Sequence, residues 1–106
     1  MKIKAFNLLN QNGNPSANQI EILIYDRNVI NKVFQSYNDI IAKLNDNTLI
    51  IDYKSYENSM TTTKNFNMWL DNNGIDPKEI RKIFNKGGGI LKGEYNDLHV
   101  IISNLN

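Results

Sequence analysis

Apolar residues along this chain recur at two spacings, and the changes between them mark out its elements. In KIKAFNLL (2–9), Ile3, Ala5 and Asn7 share one side, an imperfect period of two that predicts a short strand. NQNGNPSANQ (10–19) collects Asn, Gly, Pro and Ser, which is turn chemistry. IEILIYD (20–26) alternates Ile20, Ile22 and Ile24 with Glu21, Leu23 and Tyr25, the signature of a half-buried strand. Asp26-Arg27-Asn28 predicts a tight turn and VINKVF (29–34) a returning strand. The first three segments therefore predict an antiparallel meander.

In FQSYNDIIAKL (34–44) the spacing lengthens. Ser36 followed by Asp39 has the form of a capping box, and Tyr37, Ile40, Ile41 and Leu44 fall at i, i+3, i+4 and i+7. This predicts a strand end, a cap and a first helix that Asn45-Asp46-Asn47 terminates. TLIIDY (48–53) reads as a further strand and KSYENSMTTT (54–63) as a polar loop. Thr62 or Thr63 can cap a second helix running to about residue 72, with Phe66, Trp69 and Leu70 inward and Gly74 at its left-handed end. DPKEIRKIF carries the clearest helix start: Asp76 as cap, Pro77 at the first helical position and Glu79 completing the box. Gly87-Gly88-Gly89 stops that helix, and LHVIISNL (98–105) closes as a strand.

The resulting order is β-β-β-α-β-α-α-β. Runs of strands favour an α+β fold, an antiparallel sheet of about four to five strands with about three helices packed on it. A length of 106 residues predicts a single domain, 1–106, with one core. Within that core Trp69 and Phe84 are the side chains whose burial is expected to matter most.

Composition narrows the function classes. A hydrophobic fraction of 41% and a charged fraction of 22% are those of a folded chain. A net charge of +1 is too small for strong phosphate neutralisation or for holding an anionic membrane surface. There is no cysteine, which removes disulfides, thiolate nucleophiles and cysteine-ligated metals together. No stretch nears the roughly 20 apolar residues of a membrane span, and MKIKAFNLLN lacks the apolar run of a signal peptide. A cytoplasmic protein is expected. Abundant Asn and Ile beside 6 Gly and 2 Pro match AT-rich coding, as in low-GC bacteria and their phages.

Candidate chemistry is sparse. The triple glycine follows a helix, whereas phosphate-cradling glycines precede one, and no GK[ST] accompanies it. His99 is the one histidine, without a partner motif for a metal. Ser36 is taken as a cap and lies outside any nucleophile elbow. Asp52 and Glu57, beside Tyr53 and Tyr56, form the nearest thing to an acid–base pair, at a density expected by chance. Phe66, Met68 and Trp69 could stack bases, but their helical spacing fits a core better. No catalytic, metal-binding or cofactor-binding residue is assigned, and the protein is expected not to be an enzyme.

Three blocks carry a resemblance: VFQSYNDIIA, SMTTTKNFNMWL and GEYNDLHVIISNLN. Over residues 20–106 the chain resembles a family of small uncharacterised phage proteins. Phe34, Gln35, Ser36, Tyr37, Ile41 and Ala42 match its first block. Thr61, Thr62, Lys64 and Trp69-Leu70 approximate the second, and Gly93, Glu94, Tyr95, Leu105 and Asn106 the last. The chain departs from that pattern at Asn65, where the family has an aromatic, and in a longer NKGGGILKGEYNDLH stretch. The resemblance implies a phage or mobile-element origin and no reaction. It implies a protein that binds a host macromolecule, with anti-defence proteins such as anti-CRISPR inhibitors a prominent class.

Two functional expectations follow. The first is stoichiometric inhibition of a bacterial defence complex, a host protein or ribonucleoprotein, through the polar loops YKSYENSMTTT and KGGGILKGEYND. Tyr53, Tyr56 and Tyr95 are the expected anchors, because tyrosine offers a large contact area with a polar tip. Lys54, Glu57, Lys92 and Glu94 are the expected rim charges. The second is a nucleic-acid-binding phage accessory protein using Arg81, Lys82, Lys86 and Lys92 as a basic face.

Overall fold

Residues 1–106 are all described by the computed structural model. They form the strands β1 (Lys2–Leu9), β2 (Pro15–Asp26), β3 (Val29–Ser36), β4 (Asp39–Leu44) and β5 (Thr48–Asp52). The helices α1 (Met60–Asn72) and α2 (Pro77–Asn85) follow, and then the strands β6 (Gly89–Leu91) and β7 (Leu98–Ser103). All seven strands join one sheet in the order β1-β2-β3-β4-β5-β7-β6. The first five pair antiparallel in sequence, and β7 lies parallel to β5 after the chain crosses over through both helices. This corrects the expected antiparallel sheet of four to five strands with three helices. The sheet has seven strands, is mixed, and carries two helices.

The largest correction falls on residues 36–44, which form a hairpin and no helix. Ser36 and Asp39 face each other across a two-residue turn, with Tyr37 at a φ of 56°. The preceding hairpin turns in the same way, with Arg27 at 58°. Positive φ suits the right-handed twist of paired strands, and in a residue other than glycine it costs of order 1–3 kcal/mol. The helix-like spacing has a physical source. Phe34 pairs with Ala42 and Gln35 with Ile40, so Ile41 is an extra residue bulged out of β4. A bulge shifts the phase of alternation by one. Ile41 and Ala42 are consequently both buried, and the stripe Tyr37, Ile40, Ile41, Leu44 mimics a helix.

Two further corrections are extensions of the sheet. Residues 15–19, read as turn, continue β2, which carries Asn18 at a φ of 62°. Gly89, read only as a helix stop, opens the short edge strand β6.

Both helices end as their punctuation predicts. α1 starts one turn earlier than expected, because Ser59 and neither threonine is its cap: the Ser59 side chain accepts from the Thr62 amide at 3.0 Å. Gly74, at a φ of 73°, lets the Ile75 amide reach back to the Leu70 carbonyl at 2.9 Å. α2 has Asp76 as cap, accepting from the Lys78 amide at 2.9 Å, and Pro77 in its first turn. Gly87 and Gly88 close it by the same left-handed device.

The core lies between the helices and β3–β7, with Leu8 of β1 joining it. Phe34, Ile41, Ala42, Leu49, Ile51 and Val100 rise from the sheet to meet Phe66, Trp69 and Leu70 of α1 and Ile80 of α2. Phe34, Phe66 and Trp69 stack with ring centroids 5.9–6.0 Å apart. Phe66 and Trp69 are thus core, as expected, whereas Phe84 is only partly buried. No helix is long and apolar enough to cross a membrane.

Register places every strand residue on one of two faces. One row across the face away from the helices reads Ala5, Ile22, Val33, Lys43, Ile50, Ile101. Beside it, Ile3 pairs with Ile24 and Asn7 with Ile20. The Ile20/Ile22/Ile24 alternation therefore points away from the core, while Gln19, Glu21 and Leu23 share the helix side with Phe34.

Candidate functional site

Sequence placed seven partner-binding residues on two loops, and the parallel β5–β7 pair separates those loops. Residues 53–57 leave the end of β5, while 92–97 enter β7 at its start. Five paired residues lie between, which at about 3.3 Å each is roughly 16 Å. Tyr53, Lys54 and Glu57 are exposed at one end of the sheet, and Lys92, Glu94 and Tyr95 are exposed at the other. Tyr56 belongs to neither surface. It is 1% exposed, edge-on to Phe66 at 5.1 Å and against Phe84 at 4.5 Å, so its expected role as an anchor is corrected to a core role. Burial pushes its hydroxyl pKa up, against the Arg81 charge that favours ionisation.

The β5 end is built around Asp52. Its carboxylate is buried and accepts from the Ser55 hydroxyl at 2.7 Å, the Ser55 amide at 3.1 Å and the Lys54 amide at 3.3 Å. The other oxygen accepts from the Leu105 amide at 2.7 Å. Burial alone raises the Asp52 pKa, but these donors together hold it below its ordinary value. Four donors leave this carboxylate engaged in structure. Glu57, its expected acid–base companion, is paired instead with Arg81. The Arg81 guanidinium lies 4.4 Å from the centre of the Tyr56 ring.

Asp52 ties the β5–α1 loop to the C-terminal segment, and Asn106 ties that segment to the β3–β4 hairpin. The Asn106 side chain accepts from the Ile40 amide at 2.7 Å and donates to the Ile40 carbonyl at 2.9 Å. This frame presents Tyr37 (52% exposed), Tyr53 (49%) and Met60 (91%). Lys54 lies over the Tyr53 ring at 5.4 Å. A polar hollow of about 280 Å³ opens between Asp39, Lys54, Asn58 and Asn104. A larger one of about 600 Å³ runs past Glu57, Met60, Lys64 and Arg81. Sequence reasoning missed Tyr37 and Met60 because it set both in the wrong element. The signal that could have found Tyr37 is Tyr-Asn between two apolar runs, a hairpin turn.

At the opposite end, Lys92 pairs with Asp97 at 3.2 Å, and the Gly93 amide donates to the same carboxylate at 3.3 Å. The Lys92 and Gly93 hydrogen bonds lower the Asp97 pKa. A Cβ on Gly93 would collide with the Asn96 carbonyl oxygen, so this loop needs glycine there. The expected basic face is largely neutralised by neighbours: Arg81 by Glu57, Lys82 by Glu79 at 3.3 Å, and Lys92 by Asp97. His99 sits exposed on the face away from the helices, beside Ile90 and Thr48. No cluster of three His or carboxylate side chains that could hold a metal ion is present.

Fold and site together define a mixed-sheet domain with a helical crossover and a tyrosine-bearing sheet end. The chain belongs to the family of unknown function DUF8033, whose match covers residues 1–86. That span contains Tyr37, Tyr53 and Met60 and ends before β6, β7 and the loop carrying Lys92, Glu94 and Tyr95. No curated protein matches the chain, and no solved structure does.

Proposed function

We propose that this chain acts without catalysis, by stoichiometric binding of a protein through the sheet end that carries Tyr37, Tyr53, Lys54, Glu57 and Met60. The observation that carries this reading is the frame. Exposed aromatic and thioether side chains stand on backbone pinned by Asp52 and Asn106, beside two hollows. Rigid tyrosines surrounded by polar groups lose little entropy on binding, which is the character of interface hot spots. The resemblance to small phage proteins supplies the rest of the reading: a phage or mobile-element protein, acting in the bacterial cytoplasm, that inhibits a defence complex of the CRISPR-effector kind. Nucleic-acid binding is the less favoured alternative, because three of its four expected cations are already paired.

The test is phage plating on a host with an active CRISPR system, with and without the chain. Expression is expected to restore plating, and the effector should co-purify with the chain after nuclease treatment. The double variant Tyr37→Ala/Tyr53→Ala should lose both effects while its thermal melt is unchanged. Recovery of nucleic acid alone, released as salt rises, overturns the proposal, as does full activity in the double variant.

A further inference from the structure

Much of the apolar surface of the first three strands meets nothing in the chain. α1 packs on β3, and α2 on β6 and β7, and on the helix side of β1 and β2 only Leu8 and Gln19 are buried. In antiparallel sheets with one solvated face, polar residues normally look outward. Here four of the charges stand on the other side. Lys2, Lys4, Glu21 and Lys32 lie on the helix side of β1–β3 beside Phe6, Leu23 and Phe34, while Ile3, Ala5, Ile20, Ile22, Ile24 and Val33 occupy the open face, with Asp26 at its end. Ile3 is 59% exposed, Ile20, Ile22 and Ile24 are half-buried, and Val33 is buried. Asn7, Asn31 and Gln35 complete a grid of nine positions without a charge. Contiguous apolar surface on this scale marks an interaction site.

We propose that two copies of this chain associate face to face through the open side of β1–β3. This goes beyond the partner-binding reading and is independent of it, since the tyrosine-bearing end stays free. A two-fold interface must be self-complementary, and an uncharged apolar grid meets its own copy without repulsion. The charges on the open face lie at the margins of the grid: Asp26 ends β2, and Lys43 stands on β4, two strands from β2 and in the row of Ile22 and Val33, where it makes no ion pair. Three strands of about eight residues cover roughly 400 Å² in flat projection. With side-chain relief the pair buries of order 1,000 Å², the lower bound for a specific interface. The dimer is therefore expected to dissociate in the micromolar range.

Analytical ultracentrifugation of the full chain, from about 1 to several hundred micromolar, tests this directly. The mass should rise from the 12.2 kDa monomer to the dimer across that range. Ile22→Lys should remain monomeric throughout with an unchanged far-UV spectrum. Should that variant unfold, the milder Ile24→Ser should shift the dissociation constant by at least tenfold. Because the chain has no cysteine, single cysteines report the geometry cleanly. Ile22→Cys, at the centre of the face, should cross-link to a second copy through a short bismaleimide. A wild-type chain that stays monomeric at the highest concentration overturns the proposal. So does a dimer indifferent to both face substitutions.

Discussion

In β3–β7 the largest buried side chains point toward the helices, with Val33, Ile50 and Ile101 on the far face, whereas in β1–β2 all the isoleucines point to that far face. Phe34, Ile41, Leu49, Ile51 and Val100 are sealed under α1 and α2, with Trp69 filling the centre. Ile3, Ile22 and Ile24 share the same sheet and the same alternation, yet they face outward. The difference lies in coverage. Two helices of 13 and 9 residues are about 20 and 14 Å long, too short to roof seven strands that span about 30 Å. The strands beyond their reach had to place apolar residues on one side or the other. Their isoleucines stand opposite the helices, where the proposed second copy would supply a second layer.

This contrast makes quantitative demands. Trp69→Ala should cost about 3–5 kcal/mol, because it empties a fully buried site stacked on two phenylalanines. Ile24→Ala, on the open face, should cost under about 1 kcal/mol when measured on dilute monomer. Urea melts of both variants at 1 micromolar give the comparison. Equal losses would mean that the two halves are equally packed.

Asp52 supplies a pH signature for the covered half. Its folded pKa lies below the ordinary 3.8, so its contribution is complete above that value and is lost as pH falls through the folded pKa. Acid titration of the wild type should therefore show stability dropping below about pH 4. Asp52→Asn should remove that part of the drop. It should also cost about 1.5–3 kcal/mol at pH 7, the worth of hydrogen bonds to a charged group. A variant with the same acid slope as wild type would assign the titration to another carboxylate.

An effect of opposite sign is expected at the seam between the halves. Gln19 is fully buried opposite Ser36, and neither its amide nitrogen nor its oxygen finds a protein partner. Gln19→Met keeps the shape and removes the unpaired polar atoms, so stability should rise by about 1 kcal/mol. The urea midpoint should move up with an unchanged slope. A loss of stability would show that the amide is satisfied by bound water.

Local punctuation was legible in the chain. Pro77 after Asp76, Gly74 and the triple glycine set helix ends within a residue or two, because caps and left-handed glycines act over a single turn. The alternation of Ile20, Ile22 and Ile24 marked a strand, and Phe66, Trp69 and Leu70 a helix face. The hairpin at Tyr37 was misread because one bulged residue, Ile41, turns a period of two into the spacing of a helix. At the candidate site, Tyr53 and Lys54 were foreseen as exposed, but Tyr56 was not foreseen as core. A tyrosine three residues past a strand reads alike whether its ring turns outward or under a helix.

Composition and local pattern were enough to exclude cysteine chemistry and to mark most strand and helix segments, since these depend on residue identity and on neighbours within a turn. Three matters were decided only by tertiary structure: the parallel pairing of β5 with β7, the separation of the two polar loops, and the face onto which the β2 isoleucines point. Each depends on which distant strand supplies the neighbouring row of hydrogen bonds. Alternation states that a strand has two unlike faces, but only the packed helices state which of them is inside.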